Sequence, residues 1–357
     1  MRKWRFFGPD ADITPVARMI LNEDVDALDA SLGRDWQLNG RTRFSEYTTE
    51  LPINLALVEQ KSRVIDYLLS KGVDLNIEGA ASITFAVKNC DLPTIEKIIS
   101  AGARVDAINN VGGNAISCAL YQDRLDLLPF LQSKGLRLDA DNGISFKQAV
   151  FAGQQAAVEY FLSQGFDPNL RAADMVDPAN QSAVEMAAMK NDLPMVKLLV
   201  EHGADVTLTD VNGSRPYLWA LHHGNGEMEV YLRALEPADW HKPEKKIELL
   251  RSYGAPETLI EFVQRDNRRI DLSDCDCDCE YLDIRDLRAI YEFKWSGSSF
   301  LNLMAGVDDM CGCGELVWSK KRKRLALVDQ EHDEITWLDS WEAFLGDPGA
   351  ALAKQWA

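Results

Sequence analysis

The sequence predicts an α-helical solenoid followed by a small α+β domain with a mixed β-sheet. Three observations carry that expectation. First, alanine recurs at Ala56, Ala86, Ala119, Ala149, Ala187 and Ala220, and a glycine lies 16 residues after each of the first five, at Gly72, Gly102, Gly135, Gly165 and Gly203. Second, this phase is lost after about residue 240. Third, short apolar runs and turn residues then alternate, and five of the seven cysteines fall within forty residues.

Each recurring slot has a packing reason. Alanine suits a place where two helices approach too closely for a larger side chain. Leu68, Ile98, Leu131, Phe161 and Leu199, four residues before each glycine, supply the apolar face of a second helix. Val16, Ile53, Ile83, Ile116, Phe146, Val184 and Tyr217 supply that of a first helix. Glycine after the second helix permits the left-handed residue that ends it. One helix pair cannot bury its apolar face alone, so neighbours stack.

The segment "LPINLALVEQKSRVIDYLLSKGVDLN" (51–76) resembles an ankyrin repeat. The frame extends back to "TPVARMI" (14–20), with Met19 in the alanine slot and Asp35 in the glycine slot, and forward to Glu236 in "EPADW". That makes about seven units in a solenoid assigned to residues 1–240, whose end units lack the turn glycine as caps do. The histidine slot of the family holds Asn54, Thr84, Ser117, Lys147 and Glu185, so the hydrogen bonding between repeats is expected to be weaker or different. Extra residues lie at 40–50 and 171–181. The resemblance implies that such insertions lengthen loops beside the concave binding face, making Arg41, Tyr47, Asp174 and Asp177 candidate partner contacts. Tolerated surface insertion is the competing reading.

"HKPEKK" is polar and contains proline, and 241–249 reads as a linker. Beyond it, 250–357 reads as a second domain. "ELVWSKKRKRLALVDQ" (315–330) reads as a hairpin with the charged run as its turn. "ITWLDSWEAFLGDP" starts as a strand and becomes an amphipathic helix around Trp341, Phe344 and Leu345. The order of "YGAPETLIEFV", "GCGELVW", "LVDQEHDE" and "SWEAFL", over about 250–346, resembles the SUKH superfamily. That resemblance implies the fold of bacterial toxin-immunity proteins.

The stretch "SDCDCDCE" (273–280) admits several chemistries. If 272–281 is one strand, Cys275, Cys277 and Cys279 share a face, and Asp274, Asp276, Asp278 and Glu280 share the other. Alternate residues on a strand are roughly 6.6 Å apart, whereas tetrahedral zinc needs sulfurs roughly 3.8 Å apart. Zinc therefore requires Cys311 and Cys313 of "CGCG" to fold back within reach. The plainer expectation is no cofactor, with cysteines facing the core and carboxylates facing solvent or a basic partner. The alternating acids resemble the start of an EF-hand loop but lack its glycine at position six and its distal glutamate.

Net charge is −18, and both halves of the chain are acidic. Such a surface repels nucleic acid and anionic membranes and attracts a basic protein. No apolar run approaches the roughly 18 residues of a membrane span, and "MRKWRFFGPD" lacks the apolar core of a secretory signal, so a cytoplasmic setting is expected. The five histidines sit in no catalytic motif, and there is no phosphate loop, dinucleotide fingerprint or nucleophile elbow. The expectation is a non-enzymatic protein-binding protein, most specifically a bacterial immunity protein that occludes a toxin. The alternatives are a cysteine-based metal or redox regulator and a generic ankyrin scaffold.

Overall fold

The computed structural model describes residues 12–139, 143–171, 179–273, 280–307, 314–330 and 332–353. The chain divides into two compact units, residues 1–149 with 156–166, and residues 150–155 with 167–357. The second unit thus joins the last two repeats to the C-terminal strands.

Among the described residues seven successive helix pairs form between residues 15 and 235. They are α1 (Pro15–Asn22) with α2 (Val25–Ser31), α3 (Pro52–Val58) with α4 (Ser62–Ser70), and α5 (Ser82–Asn89) with α6 (Leu92–Ser100). Next come α7 (Ala115–Tyr121) with α8 (Leu127–Ser133), and α9 (Ile144–Phe151) with α10 (Gln155–Ser163). The last are α11 (Ala183–Met189) with α12 (Leu193–Glu201), and α13 (Pro216–His222) with α14 (Gly226–Leu235). The slots behave as their chemistry demands. Every slot alanine, every second-helix slot residue and every first-helix slot residue is buried. The five slot glycines all have positive φ, from 76° to 104°. That is the region where a β-carbon is strained.

Caps set where the second helices begin. Asp91 accepts from the Thr94 amide (3.1 Å), Asp192 from Met195 (3.0 Å) and Asn225 from Met228 (3.0 Å). Each satisfies one of the amides left open at a helix start. Just before them the chain turns through a left-handed residue, four positions after the alanine slot, at Glu23, Gln60, Asp123, Gly153, Asn191 and Gly224.

The expected linker is not one. Residues Pro243–Ser252 form helix α15, which begins on a proline and buries Leu250, with Ile247 and Leu249 against the same core. Apolar residues at helical spacing were hidden in a run that looks polar. Then follow α16 (Glu257–Phe262), β3 (Arg269–Asp271), β4 (Tyr281–Ile284), β5 (Tyr291–Trp295), β6 (Ser298–Asn302), β7 (Met304–Val307), β8 (Glu315–Ser319), β9 (Arg324–Asp329), β10 (Glu334–Trp337), α17 (Trp341–Gly346) and α18 (Pro348–Leu352). Strands β1 (Thr42–Arg43) and β2 (Thr49–Glu50) belong to the first unit.

The C-terminal strands make a five-stranded sheet in the order β10-β9-β8-β6-β5 and a three-stranded sheet in the order β3-β4-β7. Every strand pair among the described residues is antiparallel, so the sheet is not the expected mixed one. The expected hairpin over 315–330 does form, with Val317 opposite Ala326. On β8 and β9, Leu316, Trp318, Leu325 and Leu327 face a core that includes α15, α16 and α17, while Val317, Ala326 and Val328 face the opposite side with Phe293 and Phe300.

The reading of 272–281 as one strand also gives way. Asp271 pairs with Tyr281 in antiparallel register, and the Leu272 amide donates to the Glu280 carbonyl at 2.9 Å. Residues 271–272 and 280–281 therefore lie side by side, and residues 274–279 between them lie outside the described residues.

Candidate partner-binding surface

The insertion at 40–50 is a built hairpin. β1 and β2 pair through Thr42–Glu50 and Arg43–Thr49. Phe44 is fully buried beneath it, and its carbonyl accepts from the Thr14 amide at 2.9 Å. The Arg43 guanidinium donates to the Ser45 and Glu46 carbonyls at 3.1 and 3.4 Å, holding the tip. Tyr47 at that tip is 89% exposed. Arg41 is half-exposed and lies 3.9 Å from the Glu50 carboxylate. An aromatic ring held out to solvent on an anchored turn loses little conformational entropy on binding.

Two further tips repeat this device. The Asn109 side chain accepts from the amides of Val111 (3.0 Å) and Gly113 (2.8 Å), which presents Val111 at 81% exposure. In the second unit Asp210 accepts from Asn212 (2.9 Å) and Ser214 (2.8 Å) and presents Val211 at 55%. First helices add exposed aromatics two residues after the alanine slot. Tyr121 lies near the Lys88 ammonium, 5.8 Å from the ring centre, and Phe151 near that of Lys190, at 4.4 Å.

The other expected site residues fare differently. Asp174, Asp177, Asp274, Asp276 and Asp278 lie outside the described residues, as do Cys275, Cys277, Cys279, Cys311 and Cys313. Glu280 is exposed beside β4. The basic run 320–324 is largely the β8–β9 turn and is held to aromatic faces: Lys320 is 4.7 Å from the Tyr253 ring centre and Arg322 is 4.4 Å from that of Trp337. No helix among the described residues is long and apolar enough to cross a membrane.

Sequence reasoning missed the polar groups buried around the last two repeats. Glu185, at the histidine slot of the sixth unit, is fully buried. One oxygen accepts from the Trp219 indole N–H at 3.3 Å, and the other has no partner among the described residues. Burial, with the Asp210 carboxylate next in effect, pushes its pKa up to about 8. At the end of the seventh unit the cap residue Glu236 is buried and pairs with Arg215 at 2.7 Å; the His241 ring nitrogen lies 3.0 Å from its other oxygen without an ion pair or hydrogen bond to it. Burial, then the nearby Arg215 charge, drives the His241 pKa down to about 4, so the ring is neutral at physiological pH. Composition signalled none of this; a charged residue in an otherwise buried slot was the only clue.

Comparisons with known proteins fit this architecture. A family model for ankyrin repeats in many copies matches residues 184–233. An ankyrin repeat protein of Acanthamoeba polyphaga mimivirus is 27% identical over 185 residues, covering 48% of this chain and 23% of the relative. An inactive serine/threonine-protein kinase of Bos taurus is 24% identical over 182 residues, covering 50% and 10%. The chain thus spans less than a quarter of the length of either relative. Among solved structures, the ankyrin repeat domain of Bcl-3, a member of the IkappaB protein family, aligns at 25% identity with a TM-score of 0.45, covering 51% of this chain and 85% of that one. The family match, the buried alanine slots and the left-handed glycines agree: the chain carries ankyrin repeats.

Proposed function

We propose that this chain is a non-enzymatic, cytoplasmic protein-binding protein, and more narrowly an immunity protein that neutralises a basic toxin by occluding it. The observation that carries the binding role is the set of apolar side chains held out to solvent on anchored hairpins, foremost Tyr47. The narrower role is supported by the net charge of −18, which favours a basic protein over nucleic acid or an anionic membrane. It is also supported by the order of motifs over 250–346 that resembles the SUKH superfamily. Acidic charge would speed encounter with such a partner, and contacts at the tips would hold it.

The test is binding to the products of neighbouring genes, measured by calorimetry at two salt concentrations. A basic partner should bind, weaken as salt rises, and weaken about tenfold with Tyr47→Ala, as a central aromatic contact does. A partner whose binding ignores salt would overturn the toxin reading, and full affinity with Tyr47→Ala would remove the hairpin from the interface.

A further inference from the structure

Within the second unit, a cavity of about 510 Å³ opens between the last hairpin, helix α15 and the edge strand β5. Its volume lies in the range of small-molecule sites. Val211 and Trp240 are partly exposed on its wall, at 55% and 37%, and Tyr291 and Leu249 line it further. Trp240 is steadied by the Arg215 guanidinium, 5.1 Å from its ring centre.

The charge of the wall runs against that of the whole protein. Lys245, Lys246, Lys294 and Arg215 line it. Arg215 is neutralised by Glu236, and Lys245 by Glu248 at 2.8 Å. Neither Lys246 nor Lys294 is in a close ion pair among the described residues; the Lys246 ammonium donates to the Ile290 carbonyl, at 2.6 Å, and feels the Glu236 and Asp286 carboxylates only at longer range. In a chain of net charge −18, two lysines in no close ion pair on one cavity wall stand out. The acids that share the wall are engaged elsewhere. Asp210 accepts from its own loop amides, Glu292 from the Tyr253 hydroxyl, and Asp239 from Lys242.

We infer that this cavity is a binding site for a small organic anion with a flat apolar body, such as an aromatic carboxylate. The ring would lie along Trp240, Tyr291 and Val211, and the carboxylate would meet Lys246 and Lys294. This site shares Val211 with the candidate partner-binding tips but not Tyr47, Lys246 or Lys294, so a failure of anion binding and a failure of partner binding are read separately.

The probe is 2-naphthoate, titrated into the full chain by calorimetry. 2-Naphthylmethylamine carries the same body with opposite charge, and propionate carries the charge without the body. Naphthoate should saturate one site, and the amine and propionate should not bind at the same concentrations. Lys294→Ser, an exposed position that the fold tolerates, should weaken naphthoate about fivefold, the size of one screened ion pair. Lys246→Met should weaken it further, with circular dichroism confirming the fold. No saturable binding up to about 5 mM, equal binding of the amine, or unchanged affinity in Lys294→Ser would each overturn the assignment.

Discussion

The second and sixth repeats bury a polar residue in the same slot and reach opposite states. Asn54 is fully buried, and both ends of its amide are used. Its nitrogen donates to Glu50 (3.2 Å) and to the Ala80 carbonyl of the next loop (3.1 Å), and its oxygen accepts from Ser82 (2.8 Å). Glu185 is equally buried, and although the Trp219 indole, the Ser214 hydroxyl and the Ser182 backbone favour its charged form, burial and the Asp210 carboxylate outweigh them. An amide carries both donor and acceptor and can match a neighbouring loop; a carboxylate taken out of water beside a second carboxylate keeps a proton even with donors at hand. In these two repeats the slot is equally deep, and the neighbouring loop decides which chemistry is stable there.

The largest test of that contrast is Asn54→Leu. It strands the Ser82 hydroxyl and the Ala80 carbonyl in the core, and should cost about 3 kcal/mol, read from the urea midpoint. A loss under about 1 kcal/mol would mean the network is incidental.

Glu185→Gln should do the reverse, raising stability by about 2 kcal/mol at pH 8 and changing it little at pH 5. The sign follows from the raised pKa. Between the ordinary carboxylate value of 4.5 and about 8 the folded state holds a proton that the unfolded chain releases, so stability falls as pH rises through that window. The glutamine variant should flatten this slope, which urea titrations from pH 5 to pH 9 would show. Asp210→Asn should have a smaller effect, moving the falling limb to lower pH by removing the second cause of the shift while leaving burial, the first. A limb that stays in place would assign the whole shift to burial.

The smallest expected effect concerns the turns between paired helices. Gly153→Ala should cost about 1 kcal/mol because its φ is +67°, whereas Gln60→Gly, at φ +54°, should gain a few tenths. Equal effects of the same sign would show that the left-handed conformation is not what these positions select.

Those turns also show what a single sequence reveals. The alanine and glycine slots were legible because one residue type recurs at fixed spacing for one steric reason. The left-handed turn is as periodic in space, but it is filled by Glu23, Gln60, Asp123, Gly153, Asn191 and Gly224, which share only a tolerance. The third repeat departs even from that, with Cys90 at φ −105°. In the C-terminal region the 315–330 hairpin was legible from local alternation, whereas the order of strands was not, because pairing partners lie far apart in the chain. The hairpin tip at Tyr47 could be reached by counting extra residues. The cavity could not: Val211, Trp240, Lys246 and Lys294 come from four segments that only tertiary folding joins.

One close approach has a consequence for the protein's solubility. Ser296 and Gly297, both at positive φ, close a two-residue turn between β5 and β6. That turn directs the backbone of Tyr291, Phe293 and Trp295 toward β6 and that of Glu292 and Lys294 outward. Against this outward edge sits Gly213, where an added β-carbon would lie 2.1 Å from the Glu292 carbonyl oxygen. An open strand edge is a template for joining another chain, and proteins commonly shield it. The last ankyrin hairpin is that shield. A fragment beginning at residue 241 would bare the edge and self-associate, and Gly213→Val would wedge the hairpin away and bring the full chain toward the same fate.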